Sequence, residues 1–186
     1  MLTKTQAVGH LPIALKAGQR MNAQMRACAA WATIEEHDKI LDMACGEGTL
    51  LAHLSDRYRL TVCGMCESPE QARAVRERLD GADVIYGRME DIPWRDDTFD
   101  VVLLAGSLRG EARRALAEAL RVLRTGGQAV LAAPLFHFRG DGELRRRELM
   151  RLMQEAGFRE VSFRAAGFSG AVIGWKQGRL PQATGA

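Results

Sequence analysis

Short apolar runs alternate with amphipathic segments along the chain, and this alternation predicts an α/β domain with a mostly parallel sheet. The run at 101–104 is apolar at every position, as in strands that are covered on both faces. Seven strands are predicted, at 39–44, 60–65, 83–86, 99–104, 128–133, 160–166 and 170–175.

The segments between these runs carry apolar residues at helical spacing. Ser68 followed by Pro69 predicts a helix that begins with a side-chain cap and a proline in its first turn. Another predicted helix has a buried stripe that includes Leu120 and Leu123, and the pair Gly126-Gly127 is expected to end it. The sequence contains no internal repeat.

Composition and charge narrow the class of protein. The chain has 186 residues, of which 47% are hydrophobic and 26% charged, as expected of one globular domain. A formal net charge of +3 is too small to indicate a nucleic-acid partner. The start of the sequence has no apolar signal-peptide core, and no apolar run approaches the roughly 18 residues of a membrane span. We therefore expect a cytoplasmic protein.

Two of the four cysteines, Cys63 and Cys66, have the CxxC spacing of some metal and redox sites. A zinc site would need two further ligands, and no second CxxC or HxxxH supplies them. Cys45 could come close in space, but a structural role is the more ordinary interpretation. We expect reduced thiols and no metal site.

A glycine-rich turn is the most informative local feature. The stretch 40–49 reads ILDMACGEGT, in which a strand leads into Gly46 and Gly48 and then into a helix. Glycines allow positive φ and close approach of a ligand, and the amides of the helix N-terminus would face that ligand. The spacing lacks the third glycine of a dinucleotide fingerprint. A tight turn with no ligand is the alternative interpretation.

Four sequence blocks resemble the class I S-adenosylmethionine (SAM)-dependent methyltransferases, in particular the branch of ubiquinone and menaquinone biosynthesis enzymes. The first block, LDMACGEGT at 41–49, is similar to that family's first motif. GRMEDIPWRDDTFD at 87–100 resembles the segment before the fourth strand, and RVLRTGGQAVLA at 121–132 the turn before the fifth. EAGF at 155–158 matches the usual end of the following helix. The blocks occur in order over about residues 38 to 176.

The resemblance implies a Rossmann-like, seven-strand α/β sandwich with strand order 3-2-1-4-5-7-6 and an antiparallel last strand. We expect one globular domain, in which residues 1–35 form an N-terminal helical cover segment, 36–177 the SAM-binding methyltransferase domain, and 178–186 a flexible tail.

The resemblance also implies roles for particular residues. Asp42 would order the turn and accept a hydrogen bond from the amino-acid end of SAM, and backbone groups of the turn would hold the methionine moiety. Met89 would cover the adenine, and Ala105 would face the methionine end. The expected cofactor-binding residues are Asp42, Ala44, Cys45, Gly46, Gly48, Cys66, Glu67, Arg88, Met89, Glu90 and Ala105.

Two positions depart from the family pattern. Cys66 stands where the family usually carries an acidic residue that binds both ribose hydroxyls, and a thiol is a weak substitute. Glu67 is adjacent and could supply the missing carboxylate. Arg88 stands where the family favours Asp or Asn; it could stack on the adenine or be solvated, and Glu90 or Asp91 could supply the acceptor.

The expected function is transfer of a methyl group from SAM to an O, N or C atom of a small molecule, with S-adenosylhomocysteine (SAH) as the product. Methyl transfer mainly requires alignment of donor and acceptor, so no catalytic residue is clear from the sequence. Ser107 and His137 are candidates for the acceptor pocket. An RNA or protein acceptor is one alternative, and a non-catalytic methyltransferase fold that binds a partner is another. The sequence does not indicate the acceptor's identity or the oligomeric state.

Overall fold

The computed structural model describes residues 20–106, 108, 111–134 and 146–177. The described helices are α1 (Ala23–Trp31), α2 (Thr49–Arg57), α3 (Pro69–Arg78), α4 (Ala112–Val122) and α5 (Arg146–Ala156). The described strands are β1 (Lys39–Asp42), β2 (Thr61–Cys66), β3 (Asp83–Tyr86), β4 (Phe99–Ala105), β5 (Leu123–Pro134), β6 (Arg159–Ala166) and β7 (Ser169–Trp175).

These strands form one mixed sheet in the order β3-β2-β1-β4-β5-β7-β6. Strands β1 to β5 pair in parallel with their neighbours among these five. Strand β7 lies between β5 and β6 and is antiparallel to both. The predicted strand order and the antiparallel last strand are both confirmed.

Helices cover both faces of the sheet. One face packs against α4 and α5, and the other packs against α1, α2 and α3. Side chains of β2 alternate between these faces: Cys63 and Met65 belong to the α4–α5 side, whereas Val62 and Cys66 belong to the α2–α3 side. The two cysteines of the CxxC sequence therefore point to opposite sides of the sheet.

The methionine stripe on the N-terminal side of the chain is part of this packing. Met21 and Met25 pack against the core on the α1 side of the sheet, and Cys28 of α1 is fully buried there. The described part of the predicted cover segment is thus held by helix-to-sheet contacts. The proposed boundaries of cover segment, domain and tail remain predictions.

Several predicted element ends differ from the structure; most of the strand ends concerned shift by one residue, but β5 begins at Leu123 rather than at residue 128. The first strand ends at Asp42 rather than at residue 44, because the Asp42 side chain accepts a hydrogen bond from the Ala44 amide and starts the turn. Helix α4 ends at Val122, and Leu123 caps it and pairs with Phe99 in the sheet. The expectation that Gly126-Gly127 ends that helix was wrong.

An arginine on α4 fixes the loop that precedes β4. The guanidinium of Arg121 donates to the carbonyl oxygens of Ile92 and Trp94, at 2.7 and 2.9 Å. It also pairs with the carboxylates of Asp96 and Glu118, each at 2.7 Å, and Glu118 accepts the Ile92 amide at 2.8 Å. The segment that follows β3 is therefore tied to α4 by charge-assisted hydrogen bonds.

Replacing Arg121 should destabilise the fold more than replacing an exposed arginine of the same helix. Arg121→Ala leaves the Ile92 and Trp94 carbonyls without this donor, so we expect a loss of about 2–3 kcal/mol in the free energy of unfolding. Arg113→Ala removes only a surface pair with Glu155 and should cost less than about 1 kcal/mol. Urea unfolding followed by circular dichroism measures both. Equal losses would contradict the role of Arg121.

Candidate cofactor and active site

The carboxyl ends of three neighbouring strands meet at one edge of the sheet. β1 lies between β2 and β4, and Asp42 is in register with Gly64 on one side and Leu103 on the other. Cys66 and Ala105 lie two residues beyond these partners, so they flank the turn that follows β1. Ligands of open α/β sheets bind at this kind of edge.

The glycine-rich turn takes its shape from two residues with positive φ. Gly46 has φ +52° and Gly48 has φ +70°, and the Gly48 amide donates to the Cys45 carbonyl at 2.7 Å. A Cβ on Gly48 would lie 2.6 Å from a methyl carbon of Val75, whereas a Cβ on Gly46 would meet no atom within 4 Å. Gly48 thus lets α2 approach α3, and Gly46 borders open space where a ligand can lie.

Asp42 is a buried carboxyl beneath this turn. Asp42 is only 1% exposed, and its Oδ1 accepts a hydrogen bond from the Ala44 amide at 3.1 Å. Burial raises the pKa of Asp42 to about 7, although that hydrogen bond acts in the lowering direction. The carboxyl can therefore gain or lose a proton near neutral pH, and a cationic ligand group beside it would favour the charged form.

A thiol of the turn, Cys45, and a thiol at the end of β2, Cys66, are in contact. The Sγ atoms of Cys45 and Cys66 lie 2.9 Å apart, and both residues are at most 2% exposed. The Cys66 thiol also lies 3.4 Å from the Gly46 carbonyl oxygen, to which it donates. Burial raises the pKa of both thiols, so both are protonated at neutral pH. Cys66 points into the protein rather than out into the cleft.

The segment after β3 lies beside this pair, because the Gly87 amide donates to the Cys66 carbonyl at 3.2 Å. Within the segment, Arg88 is largely exposed and its Nε lies 3.4 Å from Glu90 Oε2. The Glu90 side chain is only 13% exposed. Met89 packs against the core on the α4–α5 side of the sheet.

The chain is similar in sequence to known methyltransferases. Residues 41–131 match the model of the methyltransferase domain family. A 2-methyl-6-phytyl-1,4-hydroquinone methyltransferase of rice is 32% identical over 143 residues, which cover 69% of this chain and 43% of that protein. A demethylmenaquinone methyltransferase of Clavibacter sepedonicus is 35% identical over 101 residues, which cover 50% of this chain and 40% of that protein.

Over residues 41–131, about half of its length, the chain matches the methyltransferase domain family. The names of these relatives agree with the resemblance to the quinone-biosynthesis branch that the sequence blocks indicated. A solved SAM-dependent methyltransferase of Thermotoga maritima has the same fold, with a TM-score of 0.68, 20% sequence identity, and coverage of 83% of this chain and 88% of that one. The chain spans less than half the length of the two quinone relatives.

The expected cofactor-binding residues lie in the turn after β1 or in the segments that adjoin it. The turn holds Asp42, Ala44, Cys45, Gly46 and Gly48, and Cys66, Met89, Glu90 and Ala105 lie in the adjoining segments. Glu67 and Arg88 belong to the same segments but are exposed. Ser107 and His137 lie outside the described residues.

The CxxC sequence gives no metal centre in the described part of the chain. No three His, Cys, Asp or Glu side chains of those residues are arranged to hold a metal ion. Cys66 lies against Cys45, and Cys63 faces the other side of the sheet. Sequence reasoning identified the unusual residue at 66 and noted that Cys45 could come close to the CxxC sequence; the structure places Cys45 Sγ 2.9 Å from Cys66 Sγ.

None of the described helices combines the length and the apolar character needed to cross a membrane.

The buried carboxyl of Asp42 should make the stability of the ligand-free protein depend on pH. Because the folded-state pKa is raised from 3.8 to about 7, the stabilisation from this proton is fully present below pH 4 and is lost as the pH rises through 7. Its loss between pH 5 and 8 amounts to about 2–3 kcal/mol.

Asp42→Asn keeps an acceptor for the Ala44 amide and removes the titration, so its free energy of unfolding should fall less between pH 5 and 8 than that of the wild type. Urea unfolding at the two pH values measures the difference. Asp80→Asn, at an exposed position, is the control. An Asp42→Asn profile parallel to the wild-type profile would contradict the assignment.

Proposed function

We propose that this chain binds SAM at the Gly46 turn and transfers its methyl group to an O, N or C atom of a small molecule, with release of SAH. The observation that carries the proposal is the open space beside Gly46 in the turn that follows the buried Asp42 carboxyl, where β1, β2 and β4 end. A turn with these two features suits a ligand that has a cationic amino-acid end.

The residues at this edge fit the two ends of SAM to different degrees. At the amino-acid end, Asp42 has a carboxylate and Gly46 leaves room, so the fit is good. At the ribose end, Cys66 offers a weakly polar thiol that is turned toward Cys45. At the adenine end, Glu90 is nearly buried and could accept a hydrogen bond that Arg88, which has donors only, cannot accept.

SAM bound at this turn would supply an activated methyl group from its sulfonium for transfer to a nucleophilic atom of the acceptor. The contribution of the chain is to bind and orient. Asp42 would anchor the amino-acid end, Met89 would cover the adenine, and Ala105, at the end of β4, would leave space for the methyl group. Alignment of this kind lowers the barrier without a catalytic acid or base.

A quinol-like acceptor is supported by the relatives, which are named for methylating a phytylhydroquinone and a demethylmenaquinone. Because the chain covers less than half of each of those proteins, the acceptor is a proposal rather than a transferred property. The small net charge of +3 argues against an RNA acceptor.

The activity can be tested with SAM labelled in its methyl group. The purified protein is incubated with reduced short-chain prenylated benzoquinols and naphthoquinols and, in parallel, with RNA and with cell protein. We expect label in the quinol fraction, inhibited by added SAH. Label in RNA or protein alone, or in none of the three fractions, would overturn the proposed function.

Gly46→Ala should weaken cofactor binding through its added methyl group. Gly81→Ala is the matched control, because Gly81 also has a positive φ (+75°) and open surroundings but precedes β3 at the opposite edge of the sheet. Both variants should lose about 1 kcal/mol of stability from the strained backbone. Only Gly46→Ala should lose tenfold or more in SAH affinity, as measured by calorimetry. Equal affinities would argue against a ligand at Gly46.

A second function, a non-catalytic fold that binds a partner, is favoured by one observation: neither Cys66 nor Arg88 presents the acceptor usual in this family at its position. Substituting both with Asp separates the two functions. If the wild type does not bind SAM and the double variant does, the non-catalytic function is supported. If the wild type methylates a quinol, that function is ruled out.

A further inference from the structure

We propose that Cys45 and Cys66 form a reversible disulfide, and that this modification lowers the affinity of the proposed cofactor site. The inference rests on the proposed function only for its effect on the cofactor. The bond itself follows from the contact of the two thiols.

The geometry of the pair is the first step. Two non-bonded sulfur atoms normally keep a larger separation than the 2.9 Å between these Sγ atoms, and a disulfide needs about 2.0 Å. A closure of roughly 0.9 Å therefore suffices to form the bond. The amide of Cys45 donates to the carbonyl of Met65 at 2.8 Å, which holds the turn and the end of β2 side by side.

The residue opposite Cys45, Gly64, leaves room for the Cys45 sulfur. Gly64 lies opposite, and a Cβ there would lie 2.8 Å from Cys45 Sγ and 2.9 Å from a methyl carbon of Leu51. Glycine at position 64 thus leaves the space that the Cys45 sulfur occupies. Within the described residues, no such sulfur contact is found for the other two cysteines: Cys28 Sγ lies near the carbonyls of Leu104 and Val130, and Cys63 lies on the opposite side of the sheet from the pair.

Hydrogen peroxide would oxidise the two thiols to a disulfide in two steps. The Cys66 thiol loses its proton and its sulfur attacks hydrogen peroxide, which gives a sulfenic acid and, with that proton, one water. The Cys45 sulfur then attacks the sulfenic sulfur, the S–S bond forms, and the hydroxyl leaves with the Cys45 proton as a second water. Both sulfurs are oxidised, and one peroxide is reduced to two waters.

The rate of this step should be low at neutral pH, because burial keeps both thiols protonated and only the thiolate attacks. The turn next to the pair borders open space, because a Cβ on Gly46, whose carbonyl oxygen lies 3.4 Å from Cys66 Sγ, would meet no atom within 4 Å. A small displacement of this turn would let hydrogen peroxide reach the sulfur atoms.

The effect on the cofactor site follows from the hydrogen bonds of the reduced pair. The Cys66 thiol donates to the Gly46 carbonyl, and this leaves Cys45 to donate to the Cys66 sulfur. A disulfide has no S–H group, so the Gly46 carbonyl loses its donor. The bond also pulls the turn toward β2, whereas the proposed ligand needs both segments in their reduced positions. We therefore expect weaker binding in the oxidised protein.

Cofactor binding and oxidation of the cysteine pair must then each disfavour the other. If oxidation lowers the affinity for SAH by a given factor, bound SAH lowers the tendency to oxidise by the same factor. Saturating SAH should accordingly lower the fraction of disulfide present at equilibrium.

The test combines peptide mapping with binding. The full chain is treated with hydrogen peroxide, with and without SAH, and digested without reduction; SAH affinity is measured by calorimetry before oxidation, after it, and after dithiothreitol. We expect a peptide that links Cys45 to Cys66, an SAH affinity at least fivefold lower in the oxidised protein, and recovery on reduction. Absence of the linked peptide would overturn the modification site.

Four variants make the result specific. Cys66→Ser and Cys45→Ser remove the bond, and their SAH affinity should not respond to peroxide. Cys63→Ser and Cys28→Ser keep the pair and should behave as the wild type; circular dichroism checks that each variant is folded. A linked peptide with unchanged SAH affinity would overturn the effect on the cofactor. A reduced wild type that forms the disulfide but does not bind SAH would overturn the proposed function and leave the modification site standing.

Discussion

The position of β1 between β2 and β4 is the constraint on which the site depends. The register places Asp42 beside Gly64 and Leu103, so three strands end at one edge and their following turns must share it. The buried carboxyl of Asp42 is tolerated there because the Ala44 amide donates to it and because it can hold a proton. A shift of β1 by one residue would turn Asp42 to the other face of the sheet.

The ribose end of the cleft is where this chain differs from its family. A carboxylate at position 66 could accept from two hydroxyls, and hydrogen bonds to charged groups contribute about 1.5–3 kcal/mol each. The loss of such bonds weakens a cofactor roughly tenfold to a hundredfold, which a micromolar site can tolerate. The place of the carboxylate is taken by a thiol that contacts Cys45, so the residue that departs from the family pattern at position 66 is also a member of the cysteine pair.

The sequence predicted the sheet well, because its signals are local. Apolar runs located all seven strands, and the Ser68 cap was found with its hydroxyl accepting the Gln71 amide at 3.2 Å. The end of α4 was misplaced because Leu123 fits a helical stripe and a strand equally well, and pairing with Phe99 decides between them.

Features that depend on distant residues could not be predicted in the same way. Cys45 and Cys66 are 21 residues apart, and only the pairing of β1 with β2 brings them into contact. The raised pKa of Asp42 results from burial beneath the turn, which a sequence pattern does not report. Glu67, suggested as a substitute for the ribose carboxylate, is exposed, and Glu90, suggested as an acceptor for the adenine, is nearly buried; the sequence pattern does not report this difference.

The central claim is that the edge at Gly46 binds SAM despite Cys66 and Arg88. Calorimetric titration of the reduced wild-type protein with SAM, and separately with SAH, tests it most directly. The account predicts one site per chain and micromolar dissociation constants for both ligands. No detectable binding up to millimolar ligand would contradict the account and favour a methyltransferase fold that has lost its cofactor.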